Sequence, residues 1–325
     1  MLLLIQFDKK MKTPKLSIVV PVWGVEKYVE KCVRSLFEST LDNIEFIFVN
    51  DCTPDKSIEI IQSVIKKYPN RESQTTILHH RENKGLPQAR KTGFWATRGE
   101  WVTYCDSDDW VAPDMFEKMI LKAESEKADV ICCDFVYLSD TKVLWKPVCD
   151  ASISSEQLRL NLLKGSISNA VWNKIVHRSV YEKNGIFFPL ESMDEDDVLT
   201  IQIAYYAKKL TYLHECLYFH YANPESMTHE TKIEKVCNQM REQISNRIWI
   251  VNFLEDKKDN QLDEAIFYYK QSVKNLLFAL GNDLSSVRKI YPEINTKMIF
   301  DSRFSIRQKI YNFFMLYFPK LLCFL

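Results

Sequence analysis

From Leu16 to Cys105 the chain repeats one pattern, a short apolar run followed by a longer stretch with apolar positions at helical spacing. This alternation restricts the fold more than any other feature. Leu16-Ser17-Ile18-Val19-Val20-Pro21 reads as a buried strand, and Val25 to Ser39 carries Val29, Val33, Leu36 and Phe37 on one helical face. Ile44-Glu45-Phe46-Ile47-Phe48-Val49 is a second strand. Thr53-Pro54-Asp55 then offers an N-cap, a proline at the first helical position and an acidic first turn, which predicts a helix through Lys67. Thr75-Thr76-Ile77-Leu78-His79 is a third strand, Leu86 to Thr97 a third helix, and Trp101-Val102-Thr103-Tyr104-Cys105 a fourth strand. Such units pair in parallel through right-handed crossovers, with helices on both sheet faces. Ligands then bind beyond the carboxyl ends of the strands, where helix N-termini and loops converge. Those ends are Pro21-Val22, Asn50-Asp51, His80 and Asp106.

The second half is mixed. Pro113 to Lys127 reads as helix, Asp129 to Tyr137 as strand and Ser155 to Lys164 as helix, and from Ser226 onward helical periodicity dominates, over Ile233 to Leu254 and Leu262 to Leu280. A length of 325 residues suits one large domain with a smaller appendage, and 46% hydrophobic with 26% charged residues is ordinary globular composition. Lys+Arg and Asp+Glu both total 43, so no general electrostatic footprint for nucleic acid exists. The nine cysteines form neither a C-x-x-C pair nor a zinc-spaced cluster, which favours reduced thiols in the cytosol. Met1-Leu2-Leu3-Leu4-Ile5 is followed at once by Asp8 and lysines, unlike a secretory signal.

Asp106-Ser107-Asp108-Asp109 sits where the fourth apolar strand leaves the sheet. Residues two apart in extended chain share a face, so Asp106 and Asp108 can address one ligand. Their oxygens suit Mg2+ or Mn2+, which commonly bind one or two carboxylates together with substrate phosphates. An acidic turn capping the helix near Pro113 would look the same. Asp194-Glu195-Asp196-Asp197 precedes the apolar stretch Val198 to Ala207. Four adjacent carboxylates repel, so one of them can be raised in pKa toward proton abstraction, although an acidic helix N-terminus is the plainer reading. Asn83-Lys84-Gly85-Leu86 with Arg90 offers a tight turn, a helix start and a cation that could face a diphosphate; a turn before a solvated helix explains it as well. Asp51 can bond a base or ribose, or close an Asx turn. Trp172-Asn173-Lys174 fits a sugar-stacking indole with hydrogen-bonding neighbours, and equally a buried core tryptophan. His220 and His229, flanking Pro224-Glu225-Ser226, read first as structural and second as phosphate neighbours.

Taken together, and in this order, these segments resemble the family 2 glycosyltransferases of GT-A fold, over about Leu16 to Met227. Ser17-Ile18-Val19-Val20-Pro21-Val22-Trp23 is similar to the family's opening strand, and Val49-Asn50-Asp51-Cys52-Thr53-Pro54-Asp55 to its nucleotide-binding strand end. Asn83-Lys84-Gly85-Leu86 with Ala89-Arg90 and Gly93 is similar to its asparagine-glycine-leucine turn and helix, and Asp106-Ser107-Asp108-Asp109 to its D-x-D site. Trp172-Asn173-Lys174 resembles the segment before the acceptor region, and Glu195-Asp196 the glutamate-aspartate pair that supplies the base. Cys52-Thr53-Pro54, Pro87 and Lys91 depart from the usual residues without removing a carboxylate or the turn glycine.

The resemblance implies an α/β GT-A sandwich with a helical C-terminal region. Its expected parts are an N-terminal extension over 1–14, a glycosyltransferase domain over 15–225 (nucleotide-sugar half 15–110, acceptor half 111–225), helices over 226–300 and a tail over 301–325. It implies inverting transfer from a nucleotide-diphosphate sugar, a UDP-sugar first, to a saccharide or lipid-linked acceptor. Asp51 would contact uracil and Asp106 the nucleoside, with Pro21, Val22, Asn83, Lys84, Gly85, Arg90 and Ser107 around the donor. Asp108 would hold Mn2+ or Mg2+, Asp196 would deprotonate the acceptor and Glu195 would orient it, with Trp172, Asn173 and Lys174 on the acceptor side. A nucleotidylyltransferase would need a glycine-rich basic loop after the first strand, where Pro21-Val22-Trp23-Gly24-Val25 has one glycine and no arginine. A catalytically silent scaffold would keep the same fold.

The last segment, Phe304 to Leu325, interleaves Arg303, Arg307, Lys309 and Lys320 with aromatic and aliphatic residues. Its uncharged run, Ile310 to Pro319, is ten residues, against about 20 needed to span a bilayer. It suits either a terminal helix packed on the protein's own core or a helix lying in a membrane surface. It is similar to the tails of family members that act on lipid-linked acceptors at the cytoplasmic membrane face.

Overall fold

Strand β1 (Leu16–Val22) is buried along its whole length, so it must lie inside a sheet covered on both faces. In the structure, a computed structural model describing residues 13–145, 153–225, 231–282 and 284–317, β1 is followed by α1 (Val29–Phe37), β2 (Ile44–Asn50), α2 (Ser57–Ile65), α3 (Pro69–Glu72), β3 (Thr75–His79), α4 (Leu86–Ala96) and β4 (Trp101–Tyr104). β1 pairs in parallel with β2, from Leu16 opposite Ile44 to Val22 opposite Asn50, and with β4 on its other edge, Leu16 opposite Trp101. β3 adds in parallel outside β2. The order β3-β2-β1-β4 reverses between β1 and β4, which creates the crevice where ligands bind in open α/β sheets.

The three predicted strand–helix units and the fourth strand are therefore present, with two helix starts displaced: α1, expected from Val25, begins at Val29. The helix expected from Thr53 begins at Ser57. The Asp55 carboxylate accepts the Ser57 N–H at 3.0 Å and the hydroxyls of Thr53 and Ser57, so Thr53 and Asp55 build the loop before the helix. α4 lies against β1 through Gly93: a Cβ there would sit 2.2 Å from Val19 Cγ1 and 3.1 Å from Val49 Cγ2.

Beyond β4 come β5 (Trp110–Val111), α5 (Met115–Glu126), β6 (Val130–Leu138), β7 (Val143–Trp145), α6 (Ser155–Leu163), β8 (Lys174–His177), α7 (Arg178–Asn184), α8 (Glu195–Tyr206) and β9 (Leu210–Tyr221). Among the described residues the sheet has nine strands, continuing β4-β8-β6-β9-β5 with β7 on β6. β4–β8, β8–β6, β6–β7 and β9–β5 are antiparallel, in contrast to the parallel pairs β3–β2, β2–β1 and β1–β4. β5, β7, β8 and β9 have no counterpart in the periodicity, whereas α5, β6 and α6 fall where expected.

Contacts divide the chain into two units. The first holds Met1–Ala151, Trp172–Asn184 and Thr211–Tyr221, hence the sheet; the second holds Ser152–Val171, Gly185–Leu210 and Ala222–Leu325. The second unit is helical: α6, α8, then α9 (Ile233–Asp256), α10 (Asp263–Ala279), α11 (Leu284–Lys289), α12 (Asn295–Phe300) and α13 (Ile306–Tyr317). Phe267, Ile294, Met298, Met315 and Leu316 form one of its cores. Of the expected N-terminal extension, 1–12 lie outside the described residues, as do 318–325 of the tail and His229.

Candidate active site

The residues of the first unit that the sequence places on the donor side are held by side chains that reach across loops. Asp51, just past β2, is 3% exposed. Its carboxylate accepts the N–H of Lys84 at 2.9 Å and of Gly85 at 2.8 Å, and Oδ1 lies 2.6 Å from His80 Nδ1. His80 is fixed in turn by Thr92 Oγ1, 2.8 Å from Nε2. Gly85 has φ of 82°, a conformation glycine takes without Cβ strain, and Asn83 Oδ1 also accepts its N–H. The predicted turn thus hangs from the predicted aspartate. The loops after β1 and β2 are likewise tied, Gly24 N–H donating to Thr53 Oγ1 at 2.8 Å and Glu26 N–H to Asp55 Oδ2 at 2.9 Å.

At the end of β4 the three aspartates have three different environments. Arg90, 1% exposed on α4, donates through Nη2 to Asp106 Oδ1 at 2.8 Å, so this cation orients a carboxylate. Asp109 is fully buried. It accepts the Tyr218 hydroxyl at 2.7 Å and the Tyr221 N–H at 2.8 Å, and lies 3.1 Å from His220 Nδ1, while Tyr218 Oη accepts the Asp106 N–H at 3.1 Å. Asp109 therefore shapes the turn. Asp108 borders a cleft of about 320 Å3 that it shares with Lys27, Lys31, Trp110, Asp140 and Tyr221. Lys31 Nζ stands 2.9 Å from the Trp110 ring centroid; burial lowers its pKa, with Asp140 acting against that shift.

His220, read first as structural, belongs to this acidic cluster. Its ring is stacked against Tyr137 at 5.1 Å and Trp172 at 5.3 Å. Burial opposes its protonation, but the Asp109 hydrogen bond and the charges of Asp109, Asp106 and Asp108 outweigh it and raise the imidazole above its ordinary pKa. The sequence offers His220 only as a second-choice phosphate neighbour and does not point to Tyr218, whose one signal is the aromatic density of Leu217-Tyr218-Phe219-His220-Tyr221, which does not say what it faces.

Trp172, Asn173 and Lys174 are 6%, 2% and 2% exposed. The indole stacks on Tyr218 at 4.3 Å, Asn173 Nδ2 donates to Cys133 O at 2.9 Å and Lys174 Nζ to Asn173 Oδ1 at 2.8 Å. Of the two readings of Trp172, the buried tryptophan is the one the structure displays. It braces the layer carrying Tyr218 and His220.

In the second unit, Asp194 takes the left-handed conformation, φ 62°, at the N-cap of α8. Arg247 Nε donates to its Oδ2 at 2.7 Å and Gln243 Nε2 to its Oδ1 at 3.1 Å. Glu195 is buried and Asp196 half-buried. The carboxyl whose pKa rises, to about 6, is Asp197: burial is the main cause and the Asp194 charge adds to it, against the pull of the Asn169 hydrogen bond and Arg247. The expected raised carboxylate is present, one position beyond the expected base.

A divalent cation fits this chemistry in one way. Asp108 lines the cleft beyond β4, and among the described residues no group of three His, Cys, Asp or Glu forms a ready cage. A cation arriving with a diphosphate needs only one or two protein carboxylates.

A sequence profile of glycosyl transferase family 2 matches residues 17–185. The putative glycosyltransferase EpsH of Bacillus subtilis is 33% identical over 217 residues, 65% of this chain and 61% of EpsH, so the match spans about three-fifths of that relative's length. Among solved structures, S. aureus TarS 1–349 in complex with UDP superposes with a TM-score of 0.66 at 18% identity, over 94% of this chain and 91% of that 1–349 chain. The mannosyltransferase PcManGT from Pyrobaculum calidifontis, in complex with GDP-Man and Mn2+, has a TM-score of 0.53 at 14% identity, over 95% and 89% of the two chains. The expected GT-A fold is the fold observed. With the D-x-D turn, the Asp51-bound Gly85 loop and the profile match on one chain, the protein belongs to glycosyl transferase family 2.

Proposed function

We propose that the chain moves a sugar from a nucleotide-diphosphate sugar, a UDP-sugar, to a hydroxyl of a saccharide or lipid-linked saccharide. The transfer inverts the anomeric centre and serves surface polysaccharide or glycolipid assembly at the inner face of the cell membrane. The observation that carries this reading is the position of Asp106-Ser107-Asp108-Asp109 beside the β1/β4 switch point, with Arg90 orienting Asp106, Tyr218 holding Asp109 and Asp108 lining the cleft. TarS in complex with UDP and with UDP-GlcNAc supports a UDP-linked donor.

In this reading Asp51 keeps one acceptor position for a uracil N–H, since three of about four carboxylate lone pairs are filled by His80, Lys84 and Gly85. Pro21 and Val22 form the floor at the end of β1, and Arg90 keeps Asp106 oriented toward the nucleoside, next to Ser107. Asn83 and Lys84 flank the diphosphate. Mn2+ or Mg2+ held at Asp108 would neutralise charge on the departing diphosphate. Asp196 takes the proton of the acceptor hydroxyl as its oxygen bonds to the anomeric carbon and the bond to diphosphate breaks. A single displacement inverts that carbon. Glu195 orients the base.

Thermal denaturation with UDP and MnCl2 tests the donor site: wild type rises in midpoint and Asp108→Ala does not, whereas equal rises in both remove the site from Asp108. The base is tested with a panel of UDP-sugars. Asp196→Asn retains the UDP shift and loses about 10²-fold or more in transfer; unchanged transfer assigns the base elsewhere.

A further inference from the structure

Helix α13 buries Asn312, Met315 and Leu316 against the core of Phe267, Ile294 and Met298, and Asn312 Nδ2 donates to Met298 O at 2.7 Å. That anchoring fixes which side turns outward. At roughly 100° per residue, Ile306, Ile310, Phe313 and Tyr317 fall in one stripe about 60° wide, roughly 140° around the helix from the buried face. They are 76%, 45%, 39% and 36% exposed. A helix bathed in water alone carries charges there. Here the charges flank the stripe instead, Arg307 about 90° to one side and Lys309 about 70° to the other on the same helical geometry, and the sequence of α13 contains no carboxylate. Arg288 adds a third cation, its guanidinium 4.8 Å over the Tyr317 ring, and Phe300 at the end of α12 adds an apolar side chain 74% exposed.

We propose that this stripe docks α13 flat on an anionic lipid bilayer. Ile306, Ile310, Phe313 and Tyr317 enter the boundary between headgroups and acyl chains, and Arg307, Lys309 and Arg288 meet lipid phosphates. The pairing of an aromatic and aliphatic line with cations on both edges fits a surface that is apolar below and negative above. A second copy fits less well, because a two-fold contact along the stripe sets like cationic edges against each other. The proposal gives the membrane-face setting of the sugar-transfer reading a physical contact. It does not depend on that reading, since it concerns binding and not turnover.

Co-sedimentation of the full chain with extruded vesicles tests it, comparing phosphatidylcholine alone with phosphatidylcholine carrying about 30% phosphatidylglycerol. Wild type should pellet with the anionic vesicles, stay largely in the supernatant with the neutral ones, and be released by high salt. The double variant Ile306→Ser/Ile310→Ser, at exposed positions, should partition at least tenfold less while keeping the wild-type circular dichroism and UDP shift. Arg307→Glu/Lys309→Glu should lose the preference for anionic vesicles. Wild type staying in solution with both vesicle types overturns the proposal, as does equal partitioning of wild type and the serine variant. A wild-type dimer that the serine pair converts to monomer, with no vesicle binding, assigns the stripe to a second copy instead.

Discussion

Four consecutive acidic side chains at the start of α8 cannot share one environment: Asp194 is the left-handed N-cap, and the helix separates the next three by about 100° each. Asp194 is neutralised by Arg247, Glu195 turns inward, Asp196 stays half-buried, and Asp197 is placed beside Asn169 and Tyr269, whose hydroxyl lies 3.4 Å from Oδ2. With its pKa raised from 3.8 to about 6, Asp197 contributes stability that is complete below the lower value and lost as pH rises through the higher one. That loss is on the order of 3 kcal/mol by linkage. Asp197→Asn should therefore be the more stable protein at pH 7 and show a flatter dependence between about pH 4 and 6. Urea denaturation midpoints across that range check it; a variant no firmer than wild type at pH 7 would mean the carboxylate is better solvated than its burial indicates. Such partitioning was only half legible in the linear sequence. Clustering alone implies that one member titrates high. Which member depends on how deeply the fold buries each one, and that burial comes from chain far away in sequence.

At the scale of elements, the three βα units and the fourth strand could be read directly because β1, β2 and β4 are apolar and buried almost throughout and α1 repeats its buried residues at helical spacing. β9 escaped notice since its burial is uneven along its twelve residues, and β5 is only two residues long. The packing of α4 on β1 rests on Gly93, where a methyl group would stand 2.2 Å from Val19 Cγ1. Gly93→Ala should cost about 1–3 kcal/mol as an overpacked contact, because neither the strand nor the buried helix can retreat cheaply. α4 carries Arg90, so the same shift should loosen the Arg90–Asp106 pair and weaken UDP binding together with stability. Paired thermal midpoints with and without UDP separate the two effects; a fully stable Gly93→Ala protein would show that the helix moves freely over the sheet.

Across the whole molecule, 43 basic and 43 acidic side chains cancel and the isoelectric point lies near 7.0. No long-range charge keeps copies apart at neutral pH, so solubility should pass through a minimum near pH 7 and rise on either side. Protein remaining in the supernatant after centrifugation, followed against pH at low salt, measures this, and a flat profile would contradict it. No helix among the described residues is long and apolar enough to cross a membrane.

The Asp109 hydrogen bonds also have a consequence in time. The D-x-D turn closes through Tyr218 and Tyr221, residues 109 and 112 positions further on. During synthesis the turn's own residues emerge long before these partners exist, and contacts of such sequence separation form late in folding. A ribosome-bound chain that ends before β9 has every residue of the motif but lacks the β9 groups that hold Asp109. The metal and nucleotide affinity proposed for this turn would then be acquired only as the sheet is completed, and an unfinished chain would not sequester donor.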